Sequence, residues 1–322
     1  MNAQLDHCEP LYKSVDLATL FKSPPPEWLV YEILQGKGLS FLYGEAGCGK
    51  TFLAIDIAGA VARGAEWAGK QTQKGAVLYV PTEDFSGLST RMRAYCAEHS
   101  LDVSSLPFRL WREELNLLDS TSVRHLVDEA RLITDLRLIV IDTFAAAMPG
   151  DENGSQDAGA AIRSLIRIKQ ETQSSVLVLH HTGKDITRGM RGWSGLKASA
   201  DTIVRVRSAQ TGLSATVERH RNWHSGEKIH FRLAQRVFHS QDFESVSCVV
   251  EHAGEQGSTK VRTDLRRSIL DAHAEFDTEC NGGCTMEMLA DLVVTRVPKS
   301  KKSNIKRSIK GLVDQGGLTL SG

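Results

Sequence analysis

The chain has 322 residues, of which 24% are charged and 41% are hydrophobic, and its 39 basic side chains balance 39 acidic ones. A formal net charge of zero excludes a global attraction to nucleic acid, so any such binding must use local basic patches. The sequence shows no leader peptide and no apolar run long enough to span a bilayer, which favours a cytoplasmic protein without a membrane partner.

Residues 1–37 form a lead-in to the first domain. Residues 23–26 contain three consecutive prolines, which exclude a helix and favour a stiff extended connector. Leu17, Leu20 and Phe21 give residues 1–22 one apolar face. That face predicts either docking onto a neighbouring subunit or packing against the chain's own core.

The strongest motif is the glycine-rich stretch at residues 44–51. It has the phosphate-loop spacing, in which glycines let successive backbone N–H groups face a phosphate. A predicted strand at 38–43 precedes it and a predicted helix at 52–63 follows it. Lys50 is expected to reach the β- and γ-phosphates of ATP, and Thr51 to bind Mg²⁺. The expected nucleotide contacts are Gly44, Glu45, Ala46, Gly47, Cys48, Gly49, Lys50 and Thr51.

A second predicted strand, at 75–80, runs into Glu83 and Asp84. Carboxylates at the carboxyl end of a strand lie where an open α/β sheet holds its ligands. Glu83 is therefore a candidate to orient or deprotonate the attacking water. Asp84 or Ser86 is expected to cap the next helix, at 86–99. The alternative for Glu83 is a purely structural place at the acidic start of that helix.

A near-continuous apolar run at 136–141 ends in Asp142. It follows strand character near 108–110 and an amphipathic helix that starts at Ser120, and it predicts a strand buried on both faces. Downstream of a phosphate loop, its terminal Asp142 is expected to hold Mg²⁺ beside Thr51. Taken alone, the same pattern indicates only a buried strand with a capped end.

A pair of histidines ends the next buried strand. The strand is predicted from residue 175, after a polar loop at 144–157 and a helix at 156–172. A neutral imidazole here could sense the γ-phosphate by a hydrogen bond. His180 is preferred over His181 because it lies closer to the sheet, and a capped strand end is the alternative.

Residues 183–200 combine four glycines and Trp193 with four basic side chains, which are Lys184, Arg188, Arg191 and Lys197. A flexible basic loop with an aromatic ring suits single-stranded DNA, and a solvated surface loop is the alternative. Antiparallel strands are then predicted at 203–207, 213–218 and 228–233. Arg219 and Arg221 lie in the polar turn between the last two, which could also be a solvated hairpin end.

The C-terminal part differs in character. Residues 241–261 are interpreted as a linker that begins in a last strand at 245–251. Helices at 264–276, 285–293 and 304–315 and a strand at 316–320 have the order of a winged helix-turn-helix. Residues 296–310 contain seven basic and no acidic residues, so Lys306 and Arg307 are candidates for contact with duplex DNA. A protein-contact domain with a solvated basic face is the alternative.

Together these patterns resemble the RecA-type ATPases, and within them the RepA-type hexameric replicative helicases of plasmids and phages, relatives of the DnaB and RadA proteins. The resemblance covers about residues 25–235 and rests on residues 44–51, 82–84, 141–143, 150–153, 180–181, 188–201 and 219–222. It implies that Glu83 is the catalytic glutamate and that Arg219 and Arg221 reach into the ATP site of the neighbouring subunit. Trp223 and His224 depart from the family, which usually has Gly-Pro there.

The resemblance implies an α/β fold with four segments: the lead-in at 1–37, a RecA-like ATPase domain at 38–240 with a mostly parallel sheet and added antiparallel strands, the linker at 241–261, and a winged-helix-like domain at 262–322. It implies a homo-oligomeric ring, expected to be a hexamer, that uses ATP and Mg²⁺ to move on single-stranded DNA as the replicative helicase of a mobile element. Two alternatives stay open. One is a recombination or repair ATPase that does not unwind DNA, and the other is a regulatory ATPase with a DNA-binding winged helix.

Overall fold

The structure is a computed structural model that describes residues 16–22, 27–183, 189–209, 212–239, 244–252 and 285–296, with residues 269, 305, 306, 309 and 310. The strands in these residues are β1 Trp28–Val30, β2 Leu34–Gln35, β3 Leu39–Gly44, β4 Ala76–Pro81, β5 Phe108–Leu110, β6 Leu136–Asp142, β7 Ser175–His181, β8 Thr202–Ala209, β9 Gly212–His220, β10 Lys228–His239 and β11 Glu244–His252. The helices are α1 Leu17–Phe21, α2 Lys50–Arg63, α3 Phe85–Glu98, α4 Ser120–Arg131, α5 Phe144–Ala147, α6 Ser155–Thr172, α7 Ser194–Ser199 and α8 Met286–Arg296.

A nine-stranded sheet forms the centre of the fold, with the strand order β11-β10-β9-β8-β3-β7-β6-β4-β5. The strands from β8 to β5 pair in parallel, and β9, β10 and β11 continue the sheet as antiparallel strands. The fold is therefore α/β, with a mostly parallel RecA-like sheet and added antiparallel strands, and the prediction of the fold class is confirmed.

The order of the strands determines which loops meet. β7 lies between β3, which leads into the phosphate loop, and β6, which ends in Asp142. Gly44 pairs with His181, and Pro81 pairs with Asp142. Because parallel strands end at the same edge of a sheet, the ends of β3, β7, β6 and β4 converge there, where open α/β sheets bind ligands.

The core has one layer on each face of this sheet. Phe41 and Tyr43 pack with side chains of α4 and α6, whereas Leu42 packs with α2 on the opposite face. This division follows from the two-residue period of a strand. α2 is buried along almost its whole length, which explains its nearly uniform apolar sequence and holds its first turn firmly at the sheet edge.

Three segments differ from the sequence prediction. The segment 144–157, predicted as a loop, contains the short helix α5, in which three alanines favour helix. The segment 183–200, predicted as a flexible loop, contains α7, whose Leu196 is fully buried. Residues 245–251 belong to β11, which pairs with β10. The sheet therefore continues beyond residue 240, where the sequence ends the predicted ATPase domain.

In the C-terminal region, α8 coincides with the helix predicted at 285–293. A small apolar cluster joins α8 to three isoleucines and consists of Leu289, Ala290, Val293, Ile269, Ile305 and Ile309. Most of the predicted winged helix lies outside the described residues and stays a prediction. No helix among the described residues is both long and apolar enough to cross a membrane.

Candidate nucleotide site

The phosphate loop connects β3 to the first turn of α2. Gly47 and Gly49 have φ angles of 75° and 85°, in the left-handed region that favours glycine. A Cβ at Gly44 would lie 2.4 Å from the backbone oxygen of Val206, so only glycine fits beside β8. The loop therefore curls tightly and presents its backbone at the start of a helix, an arrangement suited to anions.

Lys50 lies inside this loop with its side chain buried. Its Nζ donates to the backbone oxygens of Gly44 at 3.1 Å and Glu45 at 2.8 Å, and lies 3.4 Å from Nδ1 of His181. Burial lowers the pKa of the Lys50 ammonium, and nearby Asp142 and Glu83 oppose that shift. Lys50 is therefore held where an ammonium can bind phosphate oxygens at the loop. Cys48 is buried behind the loop, and burial raises the pKa of its thiol.

Asp142 is a buried carboxylate at the end of β6. It accepts hydrogen bonds from the hydroxyl groups of Thr51 and Tyr79, the latter at 2.8 Å to Oδ2. Burial raises the pKa of Asp142, and the two hydroxyl groups counteract that shift. The structure thus brings together Thr51 and Asp142, the two predicted Mg²⁺ ligands.

The chemistry of these donors fits Mg²⁺, which binds hard oxygen ligands and keeps several positions for water and phosphate. Among the described residues, no group of three or more His, Cys, Asp or Glu side chains could hold a metal by itself. Thr51 and Asp142 would therefore supply only part of the coordination shell, and nucleotide phosphates and water would supply the remainder.

Glu83 and Asp84 have different surroundings. Oε1 of Glu83 accepts a hydrogen bond of 2.6 Å from the hydroxyl of Thr143, next to Asp142. Asp84 instead accepts from the backbone N–H of Gly87 at 2.7 Å, caps α3, and has its pKa lowered chiefly by that hydrogen bond. Asp84 is thus the cap, whereas Glu83 faces the other predicted site residues.

The two histidines at the end of β7 exchange the importance that the sequence assigns to them. His180 has no exposed surface, and its Nε2 lies 3.0 Å from the backbone oxygen of Arg191, so its ring points away from the phosphate loop. His181 is only partly buried and faces Lys50 at 3.4 Å. The geometry therefore favours His181, not His180, as the imidazole that can contact a γ-phosphate, because successive residues of a strand point to opposite faces.

Burial lowers the pKa of His180 to about 4, so its imidazole is neutral in the folded chain. An unfolded chain binds a proton here below about pH 6.5, whereas the folded chain does not until pH falls towards 4. Stability is therefore complete above pH 6.5 and declines as the pH falls. Between pH 7.5 and 5.0 we expect His180 alone to cost about 2 kcal/mol of unfolding free energy.

Urea unfolding at these two pH values measures that loss. His180→Gln, which cannot bind the proton, should be less sensitive to pH by about this amount. His125→Gln, at an exposed site on α4, should keep the wild-type difference. Equal pH sensitivity in wild type and His180→Gln would contradict a neutral buried His180.

Arg219 and Arg221 lie at the opposite end of the sheet from the phosphate loop. Along β8, Val206 pairs with Gly44, whereas Ile203 pairs with Arg219. The two arginines are thus displaced along the strands towards the edge where β3 and β8 begin. Within one subunit, the structure does not bring them together with Lys50 or Asp142.

Their guanidinium groups instead contact the end of α7. Arg219 donates to the backbone oxygen of Lys197, and Arg221 donates to that of Ala198 at 3.0 Å. The Nε of Arg221 also lies 3.5 Å from Oδ1 of Asp201. Cations at the last carbonyls of a helix are stabilising. In the isolated subunit, both arginines therefore cap α7.

Of the DNA-binding candidates, Lys184, Arg188 and Arg307 lie outside the described residues. Arg191 forms an ion pair with Glu152, a member of the predicted acidic loop. Lys197 is on α7, and Lys306 forms an ion pair with Glu287. The structure thus places Arg191 and Lys197 in one segment next to the arginine pair, and Lys306 in the C-terminal cluster region.

Two residues near the site have no place in the sequence prediction. Tyr79 contacts Asp142 from inside the core, and Arg91 extends from α3 over the ring of Phe52, with 5.4 Å to its centroid. Arg91 also lies 3.4 Å from Asp84. The available signals are weak: a buried tyrosine needs a partner for its hydroxyl, and Arg91 follows Asp84 by two helical turns on the same face.

Comparisons with known proteins agree with this site. A family model described as an AAA domain matches residues 8–186. Among solved structures, the chain is similar to the RadB recombinase with a TM-score of 0.47 and 20% identity, covering 62% of this chain and 88% of that chain. It is also similar to the solved ATPase domain of a helicase, with a TM-score of 0.46 and 13% identity, covering 61% of this chain and 81% of that chain. A search of curated proteins found no match.

Proposed function

The chain belongs to the AAA domain family, and on that premise we propose that it is a ring-forming DNA motor that hydrolyses ATP between subunits and translocates on single-stranded DNA. The narrower proposal is a replicative helicase of a mobile element. The P-loop ATPase domain supports nucleotide binding and hydrolysis. The assembly, the DNA strand and the Mg²⁺ ion are parts of the proposal.

The observation that carries this proposal is the distance between the arginine pair and the phosphate loop. Arg221 donates its N–H to Asp201, five residues before Val206, the partner of Gly44. At about 3.3 Å per residue, this places the start of the arginine side chain about 17 Å along the strand from the loop. An arginine that serves an ATP site from there must serve the site of another subunit, which makes hydrolysis depend on assembly.

Each residue then has a chemical role. The loop N–H groups and Lys50 bind the phosphates, and Thr51 and Asp142 hold the hydrated metal. Mg²⁺, when bound there, neutralises charge on the β- and γ-phosphates. Glu83, held by Thr143, accepts the proton of the attacking water. His181 is next to Lys50 and would donate a hydrogen bond to the γ-phosphate.

The segment with Arg191 and Lys197 supports the DNA part of the proposal. Its cations can contact phosphates, and Trp193 offers a ring for a base. Arg219 and Arg221 contact the carbonyls of α7 in this same segment. A strand bound here would therefore act on the helix that holds the arginines, which would connect DNA binding with hydrolysis in the next subunit.

The test measures ATP hydrolysis with and without single-stranded DNA. We expect single strands to raise turnover at least fivefold and a forked duplex to be unwound in the presence of ATP. Stimulation without strand displacement would favour the recombination or repair ATPase. Slow turnover that ignores single strands would overturn the motor, and duplex binding by the C-terminal region would then favour the regulatory ATPase.

A further inference from the structure

Tyr79 is a fully buried residue of β4, next to the strand that carries Asp142. Tyr79 pairs in register with Val140, so Asp142 follows two residues later and points to the same face. The Tyr79 hydroxyl can therefore cross to the neighbouring strand, where it donates to Oδ2 of Asp142 at 2.8 Å.

The ring of Tyr79 has little freedom to move. It stacks on Phe108 with the planes 21° apart and the centroids separated by 6.1 Å. Burial and the adjacent Asp142 carboxylate both raise the pKa of the phenol, which therefore stays protonated and able to donate. Tyr79 thus supplies a fixed donor from the core, while Thr51 contacts the same carboxylate from α2.

We propose that Tyr79 is a positioning residue that orients Asp142 and so determines how strongly the site binds Mg²⁺ together with ATP. This inference rests on the proposed nucleotide function but does not depend on DNA or on assembly. By fixing Oδ2, the phenol leaves the other carboxylate oxygen to face the phosphate loop. Loss of such a partner of a metal ligand typically costs 10- to 100-fold in metal affinity.

The test is Tyr79→Phe, which keeps the ring and removes only the hydroxyl. Binding of a fluorescent ATP analogue is measured in EDTA and then during a Mg²⁺ titration. We expect affinity in EDTA to stay within about twofold of wild type and the Mg²⁺ concentration for half-maximal enhancement to rise about tenfold. An unchanged Mg²⁺ titration, or equal loss of binding in EDTA, would overturn the inference.

A matched control is Tyr95→Phe. Tyr95 is also buried and hydrogen-bonded, to Arg63 at 3.2 Å, but it is remote from Asp142. It should leave both measurements unchanged. A second control combines Tyr79→Phe with Asp142→Asn, and the tyrosine change should then have no further effect on the Mg²⁺ titration.

These measurements separate the two proposals. If wild type binds the analogue with Mg²⁺ enhancement and Tyr79→Phe behaves identically, only the role of Tyr79 is wrong. If wild type itself binds no nucleotide under any condition, the proposed function is wrong.

Discussion

Glu83→Gln should lower ATP turnover about a thousandfold while ATP binding stays within a few fold of wild type. The carboxylate of Glu83 lies beside Thr143 and Asp142, where it can accept a proton from water, and an amide of the same shape cannot. Turnover measured by phosphate release and binding of a fluorescent ATP analogue, on the same preparations, separate chemistry from affinity.

The neighbouring carboxylate is the matched control. Asp84→Asn changes the adjacent residue in the same way, but Asp84 caps α3 through Gly87. We expect Asp84→Asn to keep most of the turnover and to lose at most about 1 kcal/mol of stability. If the two substitutions reduced turnover equally, the different roles given to Glu83 and Asp84 would be wrong.

Arg221→Ala should abolish turnover in a pure preparation, by about a thousandfold, and leave ATP binding intact. Lys50→Ala should be equally inactive because it removes the cation at the phosphate loop. When the two inactive proteins are mixed and allowed to exchange subunits, activity should return. The Arg221→Ala subunit keeps an intact loop, and the Lys50→Ala subunit brings an intact arginine to it.

Arg232→Ala is the control for this experiment, since Arg232 is an exposed arginine of the same sheet that pairs with Glu251. It should remain active alone. A mixture that stays inactive although subunits exchange, as followed by fluorescence transfer between labelled chains, would mean that Arg221 does not act between subunits. The capping contacts with α7 would then be its whole role.

The central strands and the phosphate loop could be predicted from sequence because each depends on local physics. Apolar runs bounded by glycine predict buried strands, and the loop spacing is required by the backbone path. Asp142 and Thr51 could be brought together in advance because ends of parallel strands meet. The positions of these residues in the structure follow that argument.

The exceptions depend on contacts that sequence spacing does not encode. The choice between His180 and His181 depends on which face of β7 turns to Lys50, and the apolar run that precedes them has no alternation to reveal it. Tyr79 gains its partner from a strand far along the chain. β11 joins the sheet through its pairing with β10, and its weakly alternating sequence gives little sign of that pairing.

The opposite positions of the loop and the arginine pair have a counting consequence. Under the proposed assignment, each subunit carries one half of two different sites. An open row of subunits then always has one complete site fewer than it has members, and a lone subunit has none. Only closure of the row into a circle gives every member a working partner, because the contact is head-to-tail and the last loop meets the first arginines.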